Sequence, residues 1–178
     1  MKTSNKILIA GLIIVMVAFA IGAHRAKTKF AEAIVTPTGN MVEKTYDLPH
    51  FSKINLRNNV ECTLKQADKE MVRVEIDEAW LDKLNVSVNG DEYLGFDLEG
   101  FGQTGPIKVT IHYTELSQLT MKDASCTGEI ITDSLTHLYV ILGSELNASL
   151  EAKYCNLLLQ DGSKVTLGGT CNSLISVT

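Results

Sequence analysis

The chain is 178 residues long, 45% hydrophobic, with a formal charge of −5 and a pI near 5.4. That length holds one domain with room for an appendage. The acidic balance excludes a general nucleic-acid binder, which neutralises phosphates with clustered Lys and Arg; the one basic cluster, HRAKTK at 24–29, follows an apolar run.

Lys2 and Lys6 precede ILIAGLIIVMVAFAIGA (7–23), seventeen residues without a charge. This is the short end of what a membrane-spanning helix needs. Three readings compete: an uncleaved anchor, a signal peptide cleaved after AFA at 18–20, and a buried helix of a soluble protein. The anchor is preferred, because the apolar run passes AFA and then meets Arg25, Lys27 and Lys29. Residues 1–29 are therefore expected to be a signal-anchor with a transmembrane helix. Either of the first two readings exports the remainder, membrane-anchored in one case and secreted after cleavage in the other. Residues 30–46 contain Pro37 and Gly39 and read as a linker leading into a first strand.

From Leu48 the pattern alternates. INLRNNVECTLKQ puts Ile54, Leu56, Val60, Cys62 and Leu64 on one face. VRVEI does the same with Val72, Val74 and Ile76. LNVSVNGDEYLGFDL continues with Leu84, Val86, Val88, Leu94, Phe96 and Leu98, interrupted by the hairpin-type turn NGD at 89–91. After the break GQTGP, IKVTIHY adds Ile107, Val109 and Ile111. Such alternation predicts half-buried strands. DEAWLDKL (77–84) is the single place for a short helical turn.

Beyond Tyr113 a period emerges and the strands are expected to be shorter. Leu119, Leu138 and Leu157 lie nineteen apart, as do Met121, Val140 and Leu159, then Thr127, Leu146 and Val165, and finally Ser125, Ser144 and Ser163. A unit of that size cannot bury its own apolar face, whereas stacked units cover one another. The expectation is a parallel β-helix with rungs of about nineteen residues, for which the period argues over 115–178; an antiparallel sandwich is the rival, and for 47–112 the residues leave the two open. Leu138, Val140 and Leu157 should point inward, and Glu145 and Lys164 outward. The corners DAS, LGS and DGS carry a small residue, then a serine able to bond neighbouring backbone.

LPHFSKINLRNNVECTLKQADKEMVRVEIDEAWLDKLNVSVNGDEYLGFDLEG, followed by IKVTIHYTELSQLTMKDASCTGEI and the serine corners, resembles the GIN domain of auto-transporter adhesin heads over roughly 47–178. Two departures stand out: Thr114 replaces a usual proline, and the family's glycine-rich corners are reduced. The resemblance implies an all-β, right-handed parallel β-helix or β-solenoid domain across 47–178, in a secreted or anchored bacterial envelope protein.

Chemistry is sparse. His24, His50, His112 and His137 are isolated in sequence, and GFGQTG (100–105) lacks the following helix that a phosphate cradle needs. Asp77–Glu78 and Asp91–Glu92 are adjacent carboxylates at turns. Asp123 and Asp161 share the corner phase two rungs apart, about 9–10 Å at one strand spacing per rung, near the separation of an inverting glycosidase pair; Asp at such a corner is also ordinary turn chemistry. NVS (85–87) and NAS (147–149) match a glycosylation pattern. No catalytic, cofactor-binding or metal-binding residue is assigned. Cys62, Cys126, Cys155 and Cys171 lack zinc spacing. Setting Leu174 under Leu157 places Cys171 beside Tyr154, near enough to Cys155 for a disulfide to be allowed.

These observations lead to a non-enzymatic, membrane-anchored, extracytoplasmic binding or adhesin-like module. Its expected partners are the membrane through the N-terminal helix, a protein or glycan ligand, and a second copy through an open C-terminal rung, with no nucleic acid. A carbohydrate-active β-helix enzyme and an envelope assembly or signalling component are the alternatives.

Overall fold

The computed structural model describes residues 15–17, 19, 21–22, 35–99 and 105–178. The alternating stretches become strands: β1 (Met41–Tyr46), β2 (Lys53–Gln66), β3 (Met71–Asp77), β4 (Leu84–Val88), β5 (Tyr93–Leu98), β6 (Ile107–Tyr113), β7 (Gln118–Ile141), β8 (Glu145–Leu159) and β9 (Lys164–Val177). The short helix α1 (Glu78–Leu81) sits where DEAWLDKL allowed one. Asp77 caps it, accepting from the Ala79 amide at 3.0 Å. The same carboxylate takes the amides of Thr38 (3.1 Å) and Gly39 (2.6 Å) and the Thr38 hydroxyl (3.0 Å), fastening the segment before β1 to the end of β3.

Among the described residues the strands form one mixed nine-stranded sheet in the order β1-β3-β6-β2-β7-β8-β9, with β5 on β2 and β4 on β5. This corrects the parallel β-helix expected for the whole domain. β1 on β3, β3 on β6 and β4 on β5 are antiparallel. The physical reason lies in local turns. At the NGD turn the Asn89 side chain accepts the amides of Asp91 and Tyr93, both at 3.0 Å, and Glu92 donates its amide to the Asn89 carbonyl at 3.1 Å. A chain reversed so tightly can only pair with its predecessor antiparallel; a parallel pair needs a long crossover.

The nineteen-residue series has a narrower meaning. It reports the register of β9 on β8 and of the second half of β7 on β8, where Leu146 opposes Val165 and Leu138 opposes Leu157; over the first half of that pair the offset is twenty, and Cys126, not Thr127, opposes Leu146. Nor are the strands there short. β7 runs 24 residues, because its corners bend the strand without ending its pairing. On β2 the residues Asn58 and Asn59 bulge against the single Asp123 of β7, all three at positive φ. Leu142–Gly143 and Asp161–Gly162 repeat the left-handed conformation ahead of β8 and β9. Asn, Asp and Gly tolerate it best.

Two devices complete these bends. The Ser144 hydroxyl donates to the Ile141 carbonyl (2.7 Å) and accepts the Ala124 amide (3.3 Å), while the Ser144 amide donates to the Ser163 hydroxyl (3.1 Å). Further along, Gly128 and Gly169 adopt φ of +126° and +105° directly against the backbones of Leu64 and Leu150.

The inward positions make the core: Ile54, Leu56, Leu94, Ile111, Leu119, Met121, Leu138 and Val140 are all fully buried. No helix among the described residues is long and apolar enough to cross a membrane. The transmembrane helix expected within 1–29 is thus not found among them, and most of that segment lies outside the described residues.

Candidate functional site

The structure scatters the titratable groups singled out from the sequence. His24 and residues 100–104 of GFGQTG lie outside the described residues, and Gly105 leads into strand β6, not a helix. His112 is half-buried on β6. His137 stacks on Tyr139 with ring centroids 6.2 Å apart. Asp77 is a helix cap, and Glu92 accepts the Ser52 hydroxyl at 2.7 Å beside the NGD turn. Asp123 and Asp161 are exposed corner residues at φ of 51° and 57°, with the Leu142–Gly143 corner between them. A shallow recess lined by Asn59, Glu61, Asp123 and Glu145 does not include Asp161. Asn85 and Asn147 are exposed on β4 and β8.

All four cysteines are free thiols. Cys62 and Cys126 are register neighbours on β2 and β7, and burial pushes the Cys62 thiol well up. Cys171 faces Ala152, not Tyr154 as expected, because β9 lies against β8 at a constant offset of nineteen, which sets Ser176, not Leu174, against Leu157. Burial raises the Cys155 thiol to about 11.

His50 has a built environment. Its Nδ1 lies 2.7 Å from the Glu70 carboxylate, which also accepts the Thr114 hydroxyl at 2.5 Å. The bond to Glu70 raises the His50 pKa above 6.5. The Thr114 hydroxyl, against a counteracting burial, and then His50 hold Glu70 below 4.5. A raised histidine stabilises below its unfolded pKa and loses that contribution as pH rises through the folded one; a depressed carboxylate stabilises above its unfolded pKa and loses it on acidification. The pair should therefore stabilise most between about pH 4.5 and 6.5. Urea unfolding at pH 5.5 and pH 8 should show a difference of about 0.2–1 kcal/mol, typical of an exposed pair, which His50→Ala removes.

A different surface gathers polar groups around a recess. β5 lies between β4 and the first half of β2, pairing Asn55 with Gly95 and Gly95 with Ser87. Inward, Ile54, Leu94, Phe96 and Val86 are buried. Outward, the alternation leaves Lys53, Asn55 and Arg57 on β2, Tyr93, Gly95 and Asp97 on β5, and Ser87 on β4 with Asn89 beyond it. The middle position is Gly95, which has no side chain to fill it. The result is a cavity of about 170 Å³ walled by Asn55, Arg57, Ser87, Asn89, Tyr93 and Asp97.

Its walls are oriented. Arg57 Nε donates to Asn55 Oδ1 at 3.0 Å, which turns the Asn55 amide nitrogen into a free donor. Asn89 Oδ1 is occupied by two backbone amides, which likewise frees its nitrogen. Lys53 Nζ sits 5.0 Å from the Tyr93 ring centroid, and the Tyr93 hydroxyl donates to Gln118 at 3.2 Å. Donors, an acceptor carboxylate and one aromatic ring thus border a space open to solvent. Sequence reasoning missed this surface. The available signal was Gly95, a glycine at the outward phase of a strand, where close approach of a ligand is one of the usual reasons.

Across residues 50–177 the chain matches the family model described as "Putative auto-transporter adhesin, head GIN domain". The chain belongs to the GIN domain family. No curated protein matches it significantly. Among solved structures, a "putative adhesin" from Bacteroides fragilis superposes with a TM-score of 0.69 at 17% identity, covering 78% of this chain and 66% of that one. A "putative lipid binding protein" from Parabacteroides distasonis gives 0.55 at 17% identity, covering 78% and 64%. The GIN chain thus spans just under two thirds of these neighbours, and at such identity they share the fold alone.

Proposed function

We propose that this GIN domain is a non-enzymatic, adhesin-like binding module displayed outside the cytoplasm, and that the β2-β5-β4 face takes a glycan. The observation that carries the reading is the recess floored by Gly95. Amide, guanidinium and carboxylate groups around it match the alternating donors and acceptors of vicinal hydroxyls, and Tyr93 offers a ring at the rim. Family membership supports the adhesin-like role and display at the cell envelope. An enzyme reading has less support: it relied on Asp123 and Asp161, and the recess at Asp123 does not include Asp161.

The test uses substitution at the floor. A Cβ on Gly95 would meet nothing within 4 Å, and its φ is ordinary, so Gly95→Tyr fills the recess without strain. On a glycan array, with titration calorimetry on the hits, the wild-type chain should bind, Gly95→Tyr should lose at least about tenfold in affinity, and both should unfold at the same urea concentration. A wild type that retains no glycan, or one whose binding is indifferent to Gly95→Tyr, defeats the proposal.

A further inference from the structure

The two ends of the sheet are finished differently. At one end, β1 pairs with β3 alone, and its other edge has no partner among the described residues. That edge is charged: Glu43 pairs with Arg73 at 3.4 Å, and Lys44 lies 4.9 Å from the Tyr46 ring centroid. Charged side chains on an edge strand discourage pairing with another chain.

At the other end β9 pairs with β8 along one side, with no strand on the other among the described residues. Across its fourteen residues Lys164 is the only charge. Its inward positions are also uncovered. Leu146 and Ala148 on β8 are buried, but their register partners Val165 and Leu167 on β9 are only half-buried. Leu174, Ile175 and Val177 are exposed by 51%, 61% and 57%. An apolar recess of about 130 Å³ opens there between Leu150, Leu167 and Leu174.

We infer that the free edge of β9 pairs antiparallel with β9 of a second copy, about a two-fold axis through Thr166. The strand's own sequence favours this occupant. Antiparallel pairing centred on Thr166 runs over residues 164–168, sets Val165 against the partner's Leu167 and repeats that contact across the axis, so both inward positions gain an apolar neighbour, while Leu174, Ile175 and Val177 lie beyond the pairing. Lys164 then faces the partner's Gly168, and no like charges meet. Identical edges on both subunits make the interface isologous and closed at two copies. The charged β1 edge opposes continuation into a fibre.

Thr166 is exposed, so replacing it should leave folding intact while placing identical groups against each other at the axis. Sedimentation equilibrium of the full-length chain, held in mild detergent because of its apolar run at 7–23, should show a reversible monomer–dimer equilibrium. Thr166→Asp sets two carboxylates face to face and should weaken dimerisation by at least about tenfold, with an unchanged urea midpoint. Thr166→Cys, in a Cys171→Ser background, should give a covalent dimer on oxidation with copper phenanthroline, since directly opposed antiparallel residues lie within disulfide reach. A strictly monomeric wild type overturns the inference. So does a dimer that Thr166→Asp leaves intact, or one whose crosslink maps elsewhere.

Discussion

Gly128→Ala should destabilise the domain by about 3 kcal/mol or more, one of the largest effects available to a single methyl group here. Two costs combine. Gly128 holds φ at +126°, outside the range that L side chains adopt readily, and a Cβ there would overlap the Leu64 carbonyl oxygen and sit 2.9 Å from the Leu64 nitrogen. Both atoms are backbone of the paired strand β2, so relief would require separating β2 from β7. Gly95→Ala is the control, because it adds the same methyl group into open space at an ordinary φ; it should change stability by less than about 1 kcal/mol. Urea denaturation of the two variants decides the matter. Equal midpoints would mean that the close approach at Gly128 is not real.

Leu138→Ala should cost about 2–5 kcal/mol and Leu157→Ala clearly less, although the two residues oppose each other in register. Leu138 is fully buried, on the part of β7 that β8 flanks. Leu157 is only half-buried, since the β9 residue facing it is Ser176 on an outermost strand. Burial therefore fades toward β9, and the cost of a cavity fades with it. Equal losses in a denaturant series would show that Leu157 is as well covered as Leu138, against the structure.

These contrasts mark where the sequence could be read and where it could not. Alternation located Ile54, Leu56, Val72 and Val74 on buried faces, because a strand exposes its periodicity residue by residue. The period of nineteen identified which residues lie side by side on β8 and β9 and on the second half of β7, and missed by one along the first half of β8 against β7. It carried no information about direction elsewhere: the antiparallel pairing of β1 and β3 depends on residues far apart in the chain, which no local pattern encodes. Setting Leu174 under Leu157 takes a step of seventeen, whereas β8 and β9 keep nineteen and pair Cys171 with Ala152. Between β7 and β8 the step does change, from twenty to nineteen, where Asp133 and Ser134 oppose the single Lys153, and no side chain there announces it. Gly95 was hidden because its importance belongs to the neighbours on β2 and β4 that leave a space above it.

The serine-linked corners bear on how the chain assembles. Ser144 meets the Ala124 amide of the preceding strand, and its own amide is met by Ser163 of the next. Each corner is left with unanswered polar groups until its successor arrives. The first parallel contact of this array, Lys53 with Gln118, closes a loop of more than sixty residues, whereas β8 and β9 each add across about twenty. The longer closure costs only about 1 kcal/mol more in chain entropy, but it comes before the later strands have a surface to join. Growth then runs from β7 to β9, the direction of synthesis, with every arriving strand completing the bend of the one before it.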